Sequence, residues 1–231
     1  MQPLKTFIIA GASSGIGLEI AKLLVQENYF VYGISRTPGP LQGTPHYKHL
    51  AYDLTSTEAL PQVNTAINGL VYCPGSITLK SVERLSETDL DRDWHLNARS
   101  AFGFVKKYKP LLESEPSIVL FSSVAAQNGL PFHVSIAMAK GAIEGLTKAL
   151  AAEFAPKIRV NAIAPSLTDT PLAAHLLNTE AKVTSGALRH PLQSIGNARN
   201  IAKLACYLLL DGSWVSGQVF GINGGLGSIM R

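Results

Sequence analysis

Cysteine is nearly missing from this chain. Its 231 residues contain two, Cys73 and Cys206, far apart and outside any CxxC or His/Cys cluster. They give no basis for a disulfide framework or a zinc site, and no metal is expected. Long apolar runs are missing as well: the longest, such as SIVLF at 117–121, are far too short to span a bilayer. The opening MQPLKTFIIAGASSG lacks the succession of cationic lead, long apolar region and cleavage site. It reads as a first strand, and the protein as cytoplasmic with no membrane partner. Charge is sparse, at 16% of residues with a net +4. The one basic cluster, KKYK at 106–109, reads as a solvated helix face, so no nucleic-acid partner is expected. The mild positive balance suits an anionic cofactor and an acidic substrate equally. Internal repeats and linker-like tracts are also missing.

What is present is a 46% hydrophobic chain in which short β-type runs alternate with helical patterns. KTFII (5–9), YFVYGIS (29–35), YKHLAYDL (47–54), GLVYC (69–73), SIVLFS (117–122), IRVNAIA (158–164) and QVFGI (218–222) predict strands. Helices are predicted over 15–28, 89–112, 135–155 and 198–210 from the recurrence of apolar residues. The interval from Asp53 to Leu70 contains Pro61 and two asparagines, so any helix there should be short or broken. The alternation predicts an α/β fold: one Rossmann-type, doubly wound parallel sheet of about seven strands with helices on both faces. All of 1–231 is expected to form one dinucleotide-binding domain, with a small substrate lid near 168–190.

After the first strand comes AGASSGIG, with Gly11, Gly15 and Gly17 leading into a helix. The first glycine permits a tight turn, the second lets backbone approach a pyrophosphate, and the third lets helix pack closely on strand. The free N–H groups and positive helix end then favour an anion. A glycine-rich turn alone is weak evidence, but a strand before it and an amphipathic helix after it favour binding. At the end of the second strand stands Ser35-Arg36 where a carboxylate would select NAD by its ribose hydroxyls. Arginine offers a fixed fork of donors suited to phosphate, so NADP(H) is expected over NAD(H).

The spacing Gly-x-x-x-Gly-x-Gly resembles that of the short-chain dehydrogenase/reductase family, with Ala10 in place of the usual threonine. The resemblance covers nearly the whole chain: YDL at 52–54, HLNARSAF around Asn97, IVLFSSVAA with Ser123, Lys140, RVNAIAPSLTDTPL and SGQVFGINGG at 216–225. It implies that Gly11, Ser13, Ser14, Gly15, Ile16, Gly17, Ser35, Arg36, Asp53, Leu54, Gly75, Lys140, Pro165, Thr168 and Thr170 hold the dinucleotide. Asn97, Ser123 and Lys140 match members of the family's catalytic tetrad. The fourth is a tyrosine four residues before the lysine, about one helical turn, so that both face one cleft.

Counting back from Lys140 gives Ile136, and the stretch HVSIAMAKGAIEG (133–145) contains no tyrosine. Isoleucine has no proton to exchange. His133, three residues earlier, is the candidate substitute acid, since histidine is the side chain suited to proton transfer at physiological pH; Tyr72 is a weaker one. Tyr72-Cys73-Pro74-Gly75 replaces the family's Asn-Asn-Ala-Gly, Ser166 its glycine after Pro165, and Asn223 an aspartate. Two functions follow: an NADP(H)-binding oxidoreductase with an altered proton donor and a small-molecule substrate, or a non-catalytic cofactor binder serving as sensor or partner subunit. The family commonly pairs the helices corresponding to 89–112 and 135–155, which implies a homodimer or homotetramer.

Overall fold

Residues 4–229 are described in a computed structural model of the chain. The run TFIIA is buried along its full length, as a strand covered on both faces must be, and forms β1, Thr6–Ala10. It is followed by α1 (Gly15–Gln26), β2 (Phe30–Ser35), β3 (Tyr47–Ala51) and β4 (Ile67–Tyr72). Then come α2 (Glu87–Trp94), α3 (Ser100–Tyr108), β5 (Leu112–Phe121), the single turn α4 (Val124–Gln127), α5 (Val134–Phe154) and β6 (Arg159–Pro165). A two-residue strand β7 (Thr168–Asp169), α6 (Glu180–Leu188), its short partner β8 (Gly196–Asn197), α7 (Ala198–Leu210) and β9 (Val219–Ile222) complete the chain.

The main sheet has seven strands in the order β3-β2-β1-β4-β5-β6-β9, all parallel. Alternation along each strand divides the core between the two faces. Ile8, Leu70, Tyr72, Ile118 and Leu120 pack with Phe104, Tyr108 and Ile143 of α3 and α5. Phe7, Ile9, Val71, Val119 and Phe121 pack on the other face with Ile20 and Leu24 of α1 and Ile201 and Leu208 of α7. The expected doubly wound fold is the observed one. Its strand order reverses between β1 and β4, and in such sheets ligands bind outside the carboxyl ends of the strands at that reversal.

The stretch expected to be helical over 89–112 is helical but is not one α-helix: α2 passes through a π-helical turn at His95–Arg99 into α3, then a 3₁₀ turn at Lys109–Leu111 delivers the chain to β5. Strand β5 therefore begins at Leu112, earlier than the apolar run suggests. Between β3 and β4 no helix forms among the described residues. The connection is tied instead by hydroxyls, Tyr108 Oη donating to the Pro61 carbonyl at 2.8 Å and Ser100 Oγ to that of Leu54 at 2.6 Å.

Candidate cofactor and active site

The glycine loop leaves β1 through Gly11, whose φ of +77° an L side chain would resist. A Cβ at Gly17 would lie 2.3 Å from the Gly11 carbonyl oxygen, so helix and loop touch there and only hydrogen fits. Ser14 occupies the N-cap of α1 in extended conformation but makes no side-chain cap bond. The amides of the first turn thus face a groove of about 430 Å³ without a side-chain acceptor. That groove is lined by Ser13, Ser14, Ile16, Ser35, Arg36, Asp53, Leu54, Gly75 and Thr170 among others. The cofactor residues expected from the sequence therefore meet in one place, except that Lys140, Pro165 and Thr168 line the adjoining cavity.

Two side chains tune the far end of the groove. Arg36 is exposed and forms no side-chain hydrogen bond or ion pair among the described residues, so its guanidinium is available to a ligand. The Asp53 carboxylate accepts from the Thr55 amide at 2.9 Å and hydroxyl at 2.7 Å. These bonds, with Arg36 nearby, hold its pKa below the usual carboxylate value. Ser35 is spent locally, its hydroxyl donating to the Thr37 carbonyl at 2.9 Å and lying 3.1 Å from His49 Nε2.

The groove opens, past Gly75, Cys73 and Thr170, into a cavity of about 550 Å³. Ser123, Ile136, Lys140 and His133 all line it, and no carboxylate does. Lys140 is 6% exposed and its Nζ donates to the Phe121 carbonyl at 2.8 Å. Burial pulls its pKa down to about 8, opposed by the neighbouring Cys73 thiol, which burial itself pushes up. Ser123 caps α4 by accepting from the Ala125 amide at 3.2 Å. Its oxygen is used, but its proton is free for a ligand. Ile136, 5% exposed, presents only hydrocarbon one turn before Lys140. His133 sits at the cavity mouth, partly exposed, with Nδ1 2.6 Å from the Pro131 carbonyl.

Comparison with known proteins names this arrangement. A family model described as enoyl-(acyl carrier protein) reductase matches residues 11–227. The chain belongs to the short-chain dehydrogenase/reductase family. The 3-oxoacyl-[acyl-carrier-protein] reductase FabG of Chlamydia trachomatis is 31% identical over 244 residues, covering 96% of this chain and 97% of that one. The FabG of Thermotoga maritima is also 31% identical, with the same coverage. Among solved structures, the ligand-free aldohexose dehydrogenase of Thermoplasma acidophilum superposes with a TM-score of 0.86 at 28% identity, over 99% of this chain and 97% of its own. Proteins of the short-chain dehydrogenase/reductase family bind NAD(P)(H) and act as oxidoreductases.

Several side chains around this short-chain dehydrogenase/reductase site were not foreseen. Asp93 is 0% exposed and accepts from three hydroxyls: Ser76 at 2.5 Å, Thr78 at 3.1 Å and Ser135 at 2.8 Å. Asn97, in the π-helical turn, donates to Ser76 Oγ at 2.8 Å and to the Asp93 carbonyl at 2.9 Å, and its Oδ1 accepts from the Ser76 amide. Asn97 and Asp93 together fix the turn that carries Gly75, where a Cβ would lie 3.2 Å from Asn97 Oδ1. Ser122, beside Ser123, donates to Glu144 at 2.8 Å. Ser166 lies 2.8 Å from His190, and both line the cavity. The replacement of glycine by serine after Pro165 was the one visible signal for that pair. Tyr72 is the contrary case. It is 1% exposed on the α3 side of the sheet and its Oη donates to the Leu96 carbonyl at 2.7 Å, so it is no acid for this cavity.

Among the described residues no helix is long and apolar enough to cross a membrane, and no cluster of His, Cys, Asp or Glu is placed to hold a metal.

Proposed function

We propose that this protein is an NADP(H)-dependent oxidoreductase acting on a small carbonyl or alcohol substrate, with a proton donor other than the family's tyrosine. One observation carries the reading: a dinucleotide groove with an open glycine cradle runs directly into a cavity that keeps Ser123 and Lys140 but has Ile136 between them. The groove fits the cofactor, since the absence of a Cβ at Gly17 lets α1 close on the Gly11 turn and the first turn of α1 offers unpaired amides to a pyrophosphate. When bound, the nicotinamide supplies the hydride. The chain's own residues do the rest. Lys140 holds a positive charge at the junction of groove and cavity, Ser123 offers its hydroxyl proton to a substrate oxygen, and Asn97 holds Ser76 and Gly75 in place. The cavity has two imidazoles, His133 and His190, for the proton that Ile136 does not carry.

The choice of NADP(H) rests on the unpaired Arg36. A hydrogen-bonded charge pair contributes about 1.5–3 kcal/mol. Arg36→Ala should therefore weaken NADPH binding about 10–100-fold while leaving NADH nearly unchanged, as measured by fluorescence titration. Equal loss for both cofactors would reject this selectivity.

Lys140 adds a pH dependence. Its folded pKa of about 8 leaves it charged below that pH and neutral above, and an anionic cofactor prefers the charged form. NADPH affinity should fall as pH rises through about 8, and the fall should vanish in Lys140→Met. Calorimetric titration one unit either side of that pH measures it.

The segment 168–190 contributes Thr168, Leu172, Leu176 and Arg189 to the cavity wall, which supports its role as a substrate lid on a one-domain chain. Trp94, Phe102, Val134 and Met138 are exposed on α2, α3 and α5, supporting a homodimer or homotetramer through these helices. A cytoplasmic location agrees with the reduced cofactor pool such an enzyme draws on.

A further inference from the structure

We propose that Ser166 and His190 form the proton-handling pair of this site and take over the task that Ile136 cannot perform. The inference rests on the oxidoreductase reading above and adds to it the identity of the donor.

The geometry fixes the protons. His190 Nδ1 lies 2.8 Å from the Gly186 carbonyl oxygen, which can only accept, so Nδ1 carries a hydrogen. In the neutral ring Nε2 then holds a lone pair, and Ser166 Oγ, 2.8 Å away, donates to it. A hydroxyl, an imidazole and a third group orienting that imidazole are the parts of an activated oxygen. When the ring is protonated, Nε2–H donates instead. The Ser166 hydroxyl hydrogen is then turned away from the ring and is free to point to the cavity.

Position and burial agree with that role. Strands β5 and β6 pair at Phe121 and Ile163, and Ser122 donates its amide to the Ile163 carbonyl at 2.8 Å. Ser123 and Ser166 thus leave neighbouring strand ends into one cavity. His190 is 2% exposed, and its Nε2 faces the Ser166 hydroxyl at the cavity wall. The charged and titratable groups facing the cavity are Lys182 and Arg189 from α6 and its end, Lys140 from α5, His133 from the turn before α5 and the Cys73 thiol just after β4. From the loop after β9, Gly224 packs against the ring without charge. With no carboxylate lining the cavity, nothing there would trap the imidazolium as an ion pair. His133 has no such hydroxyl partner and sits at the rim.

In the reducing direction, as the carbonyl carbon gains a hydride from the reduced dinucleotide and the carbonyl electron pair comes to rest on oxygen, the Ser166 O–H bond breaks and its proton goes to that oxygen. The Nε2–H bond then breaks and its proton restores the hydroxyl. His190 is left neutral, Nδ1–H still on Gly186, and regains a proton from water. Oxidation of an alcohol runs the same transfers in reverse.

The test has two arms. Histidine nitrogen NMR of the cofactor-free protein should show His190 as the Nδ1–H tautomer, with a titration that shifts in Ser166→Ala. The opposite tautomer, or an unmoved titration, overturns the pairing. In the second arm, NADPH-dependent turnover of a carbonyl panel is followed against pH for wild type, Ser166→Ala, Ser166→Thr, His190→Gln and His133→Ala. Ser166→Ala should lower kcat about 10²–10⁴-fold with unchanged KM for NADPH, Ser166→Thr should restore most of it, and His190→Gln should remove an inflection from the pH profile. Thermal melting checks that each variant folds. Unaltered turnover and pH profile in Ser166→Ala and His190→Gln overturn the pair while the oxidoreductase reading stands. Loss confined to His133→Ala moves the donor there and also overturns it. A wild type inactive on every carbonyl overturns the oxidoreductase reading and the pair's role with it.

Discussion

Ile136→Tyr is expected to raise the rate of carbonyl reduction by about 10²–10⁴-fold, the usual contribution of a positioned general acid, when made in a Ser166→Ala background, and by less in the wild type, whose own donor is in place. The site is prepared for it. Ile136 lies one helical turn before Lys140 on α5 and lines the cavity, so a larger side chain grows into open space and not into the core. The Lys140 ammonium, next to Gly75 at the floor, would lower the pKa of a phenol placed there. The measurement is NADPH oxidation with a panel of ketones, wild type against variant. Activity in both, higher in the variant, agrees with an enzyme whose own donor is a different group. Activity only in the variant would show an intact scaffold that has lost its chemistry, and would make the chain a cofactor binder. No gain at all would mean that substrate oxygens do not approach α5.

Asp93→Ala should be the most damaging single change to stability, a loss of about 3 kcal/mol or more. The Ser76 hydroxyl bond to Asp93, at 2.5 Å, has the short length of a charge-assisted pair. Removing the carboxylate leaves Ser135 and Thr78 as well as Ser76 without their acceptor, and Ser135 and Thr78 are only 2% and 8% exposed. Asp93→Asn keeps one acceptor oxygen and should lose less. Urea melts give the order wild type, Asn, Ala; a flat series would mean that water satisfies these hydroxyls. The damage should also reach function, because the Asp93 carboxylate and Asn97 both hold Ser76, and through it the turn at Gly75; the Asn97 bond to the backbone carbonyl of residue 93 survives the substitution and does not replace the lost one.

These two residues mark what a sequence can and cannot disclose. Ile136 was readable because a fixed interval along one helix sets its place relative to Lys140, and four residues on a helix mean one face. The glycine cradle was readable for the same reason: strand, turn and helix follow one another within Thr6 to Gln26. The order of strands and helices followed from periodicity alone, since a parallel sheet covered on both faces demands continuous apolar runs. Asp93 was silent. Its partners lie 17 residues back at Ser76 and 42 residues on at Ser135, and no local pattern encodes such meetings. A lone aspartate in SETDLDRDW looks like one more solvated charge. Ser166 and His190, 24 residues apart, are brought together only by the return of α6 over the end of β6. The π-helical turn at His95–Arg99 was hidden for another reason. One extra residue per turn shifts the apolar spacing too little to register over so short a stretch.

The passage from β3 to β4, which does without a helix, has a further consequence. Its backbone is fastened at separate points, by Ser100 to Leu54, Tyr52 to Glu58 and Tyr108 to Pro61, where a helix would have used a continuous ladder of its own. Each fastening is one hydroxyl on one carbonyl, and each can let go without the next. The groove is thus walled unequally. Beside Gly11 and Gly17 the wall is stiff, because backbone packs on backbone; beside Asp53 and Leu54 it is compliant. A dinucleotide would be held at its pyrophosphate by the stiff wall and at the other end by Arg36 alone, entering and leaving by the wall that yields.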